Sequence, residues 1–180
     1  MEGTAIYSST NATEEGVDLT QISLRPIDLS DLDDLMLWAT DEKVAEFCTW
    51  EPYASKEDGI NFIQNIASKS LWFRVICLHN RAIGCIDLFS SSSQGRCRDK
   101  TAEIGYALGS KYWGKGIATQ VVKQVVKAAF TEFPHLERLE ALVDLENGFS
   151  EGAGEGRFSK GGISQEISGH QRKKQRYGHL

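Results

Sequence analysis

The stretch KYWGKGIATQ, residues 111–120, places two glycines immediately before a helix-patterned segment, and this junction constrains the fold more than any other feature. Glycine adopts positive φ angles without strain and lets a ligand approach the main chain closely. The first N–H groups of a helix have no partner within the helix, and the helix dipole adds partial positive charge there. The junction therefore predicts either an anion-binding cradle or a tight turn that binds nothing.

The segments on either side of the glycines have different periods. TAEIGYALG, residues 101–109, alternates like a strand, whereas the segment after the glycines has one apolar face at helical spacing up to Pro134. LERLEALVD, residues 136–144, is again strand-like. The glycine spacing matches neither GxxxxGK[ST] nor GxGxxG, so it is not a P-loop or a dinucleotide fingerprint.

The chain before residue 101 supplies the remaining elements. QISLRP is typical of a first strand, and two helical patterns follow, with capping-box spacing at Ser30 and Asp33 and at Ser55 and Asp58. AEFCTWEPYAS, between these helices, is interpreted as a structured loop. LWFRVICL and AIGCIDLF are strand-like runs joined through HNR, a connection of hairpin size. The order strand, two helices, three strands, helix, strand predicts an α/β fold with an antiparallel middle and a crossover helix.

Composition indicates a soluble globular protein, with 41% hydrophobic and 25% charged residues. A net charge of −5 is unfavourable for nucleic acid or an anionic membrane as a partner. Residues 1–20 resemble neither a signal nor a transit peptide and are interpreted as a flexible lead-in. The four cysteines have no CxxC spacing, which favours reduced core residues in the cytoplasm, with the nucleus as the alternative. His79 and His135 have no partners at metal-ligand spacing, and we expect no metal.

The segment AEIGYALGSKYWGKGIATQVVKQVVKAAF resembles the GCN5-related N-acetyltransferases (GNAT), and within them the branch that acetylates the amino termini of ribosomal proteins. The pyrophosphate loop of that family, Q/R-x-x-G-x-G/A, falls on Lys111, Gly114 and Gly116, with lysine where the family usually has Gln or Arg. RAIGCIDLF is similar to the family's third strand. The resemblance covers about residues 21–147 and implies a mixed, mostly antiparallel central sheet flanked by helices.

The resemblance implies direct transfer of an acetyl group from acetyl-CoA to a primary amine, either a protein amino terminus or a small molecule. It places the pyrophosphate on the loop and the thioester carbonyl on a main-chain N–H of the fourth strand. Glu103 is the candidate base acting through water; the alternative is a solvated strand residue. The implied cofactor-binding residues are Ile104, Gly105, Tyr106, Lys111, Gly114, Lys115, Gly116, Ile117, Ala118 and Asn147.

Residues 148–180 depart from the family, which continues after the fifth strand with a helix and a β-hairpin. Eight of these 33 residues are glycine, of 17 in the whole chain, and the segment contains the basic run RKKQR near its end. The composition predicts a disordered tail, so we expect the last helix and the β-hairpin to be missing. The basic run is interpreted as a solvated terminus rather than a nucleic-acid site.

A shift of reading frame accounts for this departure. With permitted codons, SEGAGEGRFSK read one nucleotide forward becomes QRVLEKAGFQK, which resembles the family's fourth helix and its terminal G-F. We therefore expect residues 21–147 to form an incomplete acetyltransferase domain, followed by a frame-shifted tail. The alternative function is a catalytically inactive remnant that binds acyl-CoA at most or acts as an interaction protein.

Overall fold

The computed structural model describes residues 17–90, 100–141, 156–159 and 162–164. Seven strands in these ranges form one sheet in chain order, antiparallel throughout except for the parallel pair β4–β5. This confirms the mixed, mostly antiparallel sheet. The strands are β1 (Ile22–Arg25), β2 (Trp72–Leu78), β3 (Arg81–Ser90), β4 (Thr101–Leu108), β5 (Arg138–Ala141), β6 (Gly156–Ser159) and β7 (Gly162–Ser164).

Four α-helices lie in the described ranges: α1 (Leu32–Ala39), α2 (Glu42–Glu46), α3 (Lys56–Asn61) and α4 (Ile117–Glu132). The predicted helix over residues 55–70 is therefore only partly α-helical, because α3 continues as a π-helical turn, Phe62–Ile66, and a 3-10 turn, Ala67–Lys69. The prediction missed α2, which is five residues long and ends two residues into the segment interpreted as a loop. A single turn is too short to show helical periodicity.

The predicted hairpin between β2 and β3 is confirmed. Its two turn residues, His79 and Asn80, have positive φ angles of 49° and 64°. Two successive residues with positive φ form a type I′ turn, whose twist matches that of the strands it joins. The hairpin places β3 in the interior of the sheet, between β2 and β4.

The sheet separates two hydrophobic cores. α4 packs on one face, where Ile104, Val121 and Leu139 are almost fully buried. The strand residues that alternate with this set, such as Val75 and Cys85, point to the other face and pack with Leu35 of α1 and with the π-helical turn that follows α3. We call these the α4-side core and the α1-side core. Trp113 packs against both, at the point where the chain leaves β4 for α4.

Two predictions about the chain ends are corrected. The expected absence of a C-terminal β-hairpin is wrong, because β6 pairs with β5 and β7 pairs with β6. A glycine-rich segment can still form these ladders, which depend on backbone hydrogen bonds rather than on an apolar pattern. Residues 17–20 are also not a flexible lead-in, since Val17 and Leu19 pack against the α4-side core. The expected loss of the last helix concerns the chain after residue 147, and residues 142–155 lie outside the described residues, as do most of the predicted tail and residues 1–16.

The cysteines in the described ranges agree with the predicted reduced core. Cys77 and Cys85 are buried and Cys48 is half-buried, and all three are free thiols. Burial raises the pKa of Cys48 to about 12 and that of Cys85 well above its usual value, so these thiols stay protonated. Cys97 lies outside the described residues. No helix in the described part of the chain has the length and apolar character needed to cross a bilayer.

The predicted capping box at Ser55 and Asp58 is present, whereas the one at Ser30 and Asp33 is wrong. The box instead joins Asp28 and Asp31, one 3-10 turn before α1. Asp31 occupies this place because it also accepts hydrogen bonds of 2.7 and 2.6 Å from the guanidinium of Arg25 at the end of β1. The pair therefore fixes the turn into α1 against the edge of the sheet.

Asp31→Asn is expected to lower the free energy of unfolding by about 2 kcal/mol, because Arg25 loses its charged partner. The Asp31 side chain is only 5% exposed, and Arg25, at 30%, recovers part of its hydration. Arg25 lowers the pKa of Asp31, so this contribution is present above the unfolded pKa of about 3.9 and disappears as the pH falls through the folded value. Urea melts of the variant and the wild type at pH 7 and pH 3 measure this loss of unfolding free energy.

The matched control is Asp33→Asn, whose exposed pair with Lys56 contributes little. An equal loss at both pH values would contradict the prediction.

Candidate active site

The predicted glycine junction lies between the carboxyl end of β4 and the first turn of α4. Gly114 and Gly116 have φ angles of 71° and 74°, in the left-handed region that other residues avoid. A Cβ on Gly114 would meet nothing within 4 Å, and one on Gly116 would meet only Leu19 Cδ1, at 4.0 Å. Gly116 begins α4 without a side-chain cap, and the first turn carries no acidic residue. The main chain thus faces open space at a helix amino terminus, where an anion is favoured.

Hydrogen bonds to neighbouring elements hold this junction in place. The backbone N–H of Gly109 donates to Ile83 O at 2.9 Å, and the indole of Trp113 donates to Leu108 O at 2.7 Å. The hydroxyl of Ser110 donates to Asp41 at 2.5 Å. On the far side, the Gln120 amide donates to Leu19 O at 3.0 Å. The turn is therefore anchored at both ends, which lowers the ordering cost of binding a ligand there.

β4 extends beyond its described pairing with β5. The parallel register runs from Thr101 opposite Arg138 to Ile104 opposite Ala141, and β4 then continues to Leu108. Alternate backbone N–H groups of a strand point to opposite edges. Some of the backbone N–H groups of residues 105–108 therefore point toward the β5 side of β4, next to the glycine junction.

The β4 candidates lie on two faces of the sheet. The Ile104 side chain is buried in the α4-side core, with 2% exposure, and the Tyr106 side chain packs against that core. Both residues could therefore face a cofactor at the strand edge only through their main chains. Glu103 and Gly105 alternate with them on the opposite face, both half-buried. Glu103 lies opposite Phe89 on β3 and Glu140 on β5. The structure thus brings the candidate base to the same strand segment as the proposed carbonyl site.

The loop candidates differ in exposure. Lys111 is exposed, with its Nζ 4.9 Å from the centre of the Tyr112 ring. Lys115 and Ala118 are half-buried, whereas the Ile117 side chain is buried in the α4-side core. Ile117 could therefore contribute only its main chain to a ligand. Asn147, the last predicted contact, lies outside the described residues.

Asp87 on β3 is a titratable residue beside this segment that was not among the predicted site residues. It is 9% exposed and lies opposite Gly105 on β4. Burial, more than the nearby charge of Glu103, raises the pKa of Asp87 to about 7. The available signal was a single carboxylate inside the apolar run AIGCIDLF, since a charged residue in a central strand is rarely buried without a reason. In the described ranges, no group of three or more His, Cys, Asp or Glu residues could hold a metal ion.

Comparison with known proteins identifies one family. The profile described as "Acetyltransferase (GNAT) domain" matches residues 21–154. A curated relative, the uncharacterized N-acetyltransferase p20 of Bacillus licheniformis, is 31% identical over 132 residues, which cover 71% of this chain and 72% of the relative. Residues 21–154, which the family profile matches, include β1–β5, the glycine junction and α4.

Solved structures have the same fold. A GNAT-family acetyltransferase from Bacillus anthracis is similar with a TM-score of 0.61 and 24% identity, over 74% of this chain and 79% of that chain. The spermidine N-acetyltransferase of Vibrio cholerae, solved in complex with CoA and spermine, has a TM-score of 0.59 and 20% identity, over 75% of this chain and 80% of that chain. At these identities the likeness concerns the fold.

Proposed function

Because this chain belongs to the GNAT acetyltransferase family, we propose that it transfers the acetyl group of acetyl-CoA directly to a primary amine. The observation that carries the proposal is the pair of left-handed glycines at the start of α4, with open space where side chains would be. A pyrophosphate fits this place, since backbone N–H groups and the helix dipole both favour an anion.

Acetyl-CoA supplies an activated thioester, and the protein has three tasks around it. Residues 114–118 bind the pyrophosphate through their main chain, with Lys111 as the nearby cation. A main-chain N–H of residues 104–107 donates to the thioester carbonyl oxygen and stabilises the negative charge that develops there. Glu103 accepts a proton from the acceptor ammonium through a water, which leaves a neutral amine able to attack.

The transfer needs no covalent intermediate with the protein. The amine nitrogen forms a bond to the carbonyl carbon as the bond from that carbon to sulfur breaks. The thiolate of CoA leaves, the nitrogen loses one proton as the amide forms, and the thiolate takes up one proton, so that the products are the amide and CoA with a free thiol. The alternation of β4 supports this division of tasks, because the side chain of Glu103 and the main chain of residues 104–107 meet at one strand segment.

The sequence resemblance supports a more specific proposal for the acceptor amine. The resemblance to the branch that acetylates ribosomal proteins favours a protein amino terminus, and a small-molecule amine is the other possibility within the same chemistry. We propose the cytoplasm as the place of action, with the nucleus as the alternative, because the expected reduced state of the cysteines suits both compartments.

Turnover by the full chain tests the proposal. Acetyl-CoA is incubated with peptides that have a free amino terminus, with spermidine, with an aminoglycoside and with phenethylamine, and release of the CoA thiol and the mass of the product are measured. The proposal expects an acetylated product from at least one acceptor. Acetyl-CoA binding without any product would favour the inactive remnant, and the absence of acetyl-CoA binding would overturn the proposed transfer and leave the interaction protein.

The inactive remnant is retained as a second candidate because residues 148–180 depart from the family pattern. We propose that this segment results from a reading-frame shift, through a splice variant, an error in the assembled gene or a degraded copy. Sequencing the transcript across the codons for residues 145–150 tests this. A single uninterrupted frame with no alternative junction would rule the shift out.

A further inference from the structure

Asp87 is a buried carboxyl group that the proposed reaction does not yet use. It lies in the middle of β3, opposite Phe73 on β2 and Gly105 on β4. The Ser70 hydroxyl donates to its Oδ2 at 3.5 Å, which is at the long limit for a hydrogen bond. Asp87 is 91% buried, and this long hydrogen bond compensates only weakly for the hydration that its carboxyl group has lost.

The Asp87 carboxyl group lies close to the main chain of β4 at Gly105. A Cβ on Gly105 would lie 2.9 Å from Asp87 Oδ1 and 2.9 Å from Phe89 Cε2. The carboxyl group and the Phe89 ring therefore lie directly against the main chain of Gly105, where only a glycine leaves room. Because residues 104–107 form the proposed carbonyl site, Asp87 lies beside the place where the acceptor nitrogen must arrive.

Among the residues that the structure describes, no cation acts on Asp87. Burial is the main cause that raises the pKa of Asp87 to about 7, and the negative charge of Glu103 on β4 adds to it. Asp87 in turn raises the pKa of the Cys85 thiol on its own strand. A buried carboxylate in this setting is unfavourable until a cation pairs with it. An ammonium group on the acceptor would supply that cation.

The apolar neighbours of Asp87 limit which ammonium fits. Phe89, two residues along on the same face of β3, is 39% exposed although it is a large aromatic side chain. Phe73, opposite Asp87 on β2, packs edge-on against Phe62 with ring centres 5.5 Å apart. The carboxyl group is thus flanked by aromatic carbon, which favours a cation attached to an apolar group.

The geometry assigns Asp87 as the acceptor-binding residue: its carboxylate holds the ammonium of a primary amine that carries an apolar or aromatic substituent. This assignment rests on the proposed function, and it names the substrate class of the same site. Asp87 would position the nitrogen against Gly105, and the proton would leave through Glu103 as proposed above.

The test uses phenethylamine as the acceptor with the full chain and its Asp87→Asn and Asp87→Ala variants. Loss of a hydrogen bond to a charged group predicts a KM for phenethylamine raised about tenfold or more, with the affinity for acetyl-CoA unchanged. Calorimetric titration of phenethylamine into the CoA-saturated protein measures the same loss without turnover. The control is Asp33→Asn, an exposed aspartate on α1, which is expected to leave both values unchanged.

Melting temperatures separate binding from a structural role. The folded-state pKa of Asp87 is raised, so its ionisation costs stability as the pH rises from about 4 to above 7. Asp87→Asn should therefore melt at a higher temperature than the wild type at pH 8, and the difference should shrink toward pH 5. A variant that melts lower at pH 8 would show that Asp87 is structural and would overturn the assignment.

The remaining outcomes separate a failure of the Asp87 assignment from a failure of the proposed acetyl transfer. A wild-type protein that acetylates other amines but does not bind phenethylamine overturns the assignment alone, as does an unchanged KM in both variants. A wild-type protein that does not bind acetyl-CoA overturns the proposed function and the assignment with it.

Discussion

Glu103→Gln is expected to lower kcat for amine acetylation by about 100-fold, while acetyl-CoA binding stays unchanged. A primary amine is almost fully protonated at neutral pH, and the ammonium has no lone pair to attack a thioester. The glutamine cannot accept the proton, so only the small neutral fraction of the amine reacts. The loss should therefore shrink as the pH rises toward the pKa of the free amine, which is about 10.

The matched control is Glu140→Gln. Glu140 lies directly opposite Glu103 across the β4–β5 pair, and Arg138 donates to it at 3.4 Å. The two substitutions remove the same charge at neighbouring positions, but we expect a much smaller loss of kcat for Glu140→Gln. Equal losses in the two variants would indicate a general effect of charge. A nearly unchanged kcat in Glu103→Gln would contradict the assignment of Glu103 as the base.

Gly84→Ala is expected to destabilise the fold by about 3 kcal/mol or more, the upper part of the range for overpacking a filled interior. A Cβ on Gly84 would lie 2.3 Å from Ala107 O and 3.0 Å from Leu108 Cα. Both atoms belong to the backbone of β4, so no side-chain rotation relieves the contact. Strands β3 and β4 would have to separate, which would also move the proposed carbonyl site.

The matched control for Gly84 is Gly109→Ala at the end of β4. There the nearest atoms to an added Cβ are 3.4 Å away, which is ordinary contact, and φ is −52°. Urea melts of the two variants measure the difference in the free energy of unfolding. Equal midpoints for Gly84→Ala and the wild type would contradict the close packing of β3 on β4.

The order of elements could be predicted because local patterns specify each of them. Runs of β-branched and aromatic residues predicted β2 and β3, alternating residues predicted β4, and the apolar face ending before Pro134 predicted α4. Strands β6 and β7 could not be predicted in this way. The pairing of β6 with β5 and of β7 with β6 depends on backbone hydrogen bonds, and the glycine-rich sequence gives no side-chain period that would indicate it.

The glycine junction could be predicted for the same reason, since glycine adopts the positive φ angles found at Gly114 and Gly116 at the lowest cost. Asp87 could not, because its importance depends on which residue of β4 it meets. The sequence shows an aspartate in an apolar strand, but only the register of β3 on β4 places it against Gly105 and on the same face as Glu103. Register depends on tertiary packing and turn geometry rather than on one strand's pattern.

The central claim is that residues 114–118 bind acetyl-CoA, and thermal melts of the full chain with and without acetyl-CoA test it most directly. Ligand at about 100 times its Kd should stabilise the wild type by about 2.7 kcal/mol, which raises the melting temperature. Gly116→Ala should still fold, at a cost of about 1–2 kcal/mol for a left-handed alanine, but should lose most of the shift. Lys123→Ala, on the exposed face of α4, should keep it. A wild type with no shift, or a Gly116→Ala variant with the full shift, would contradict the claim.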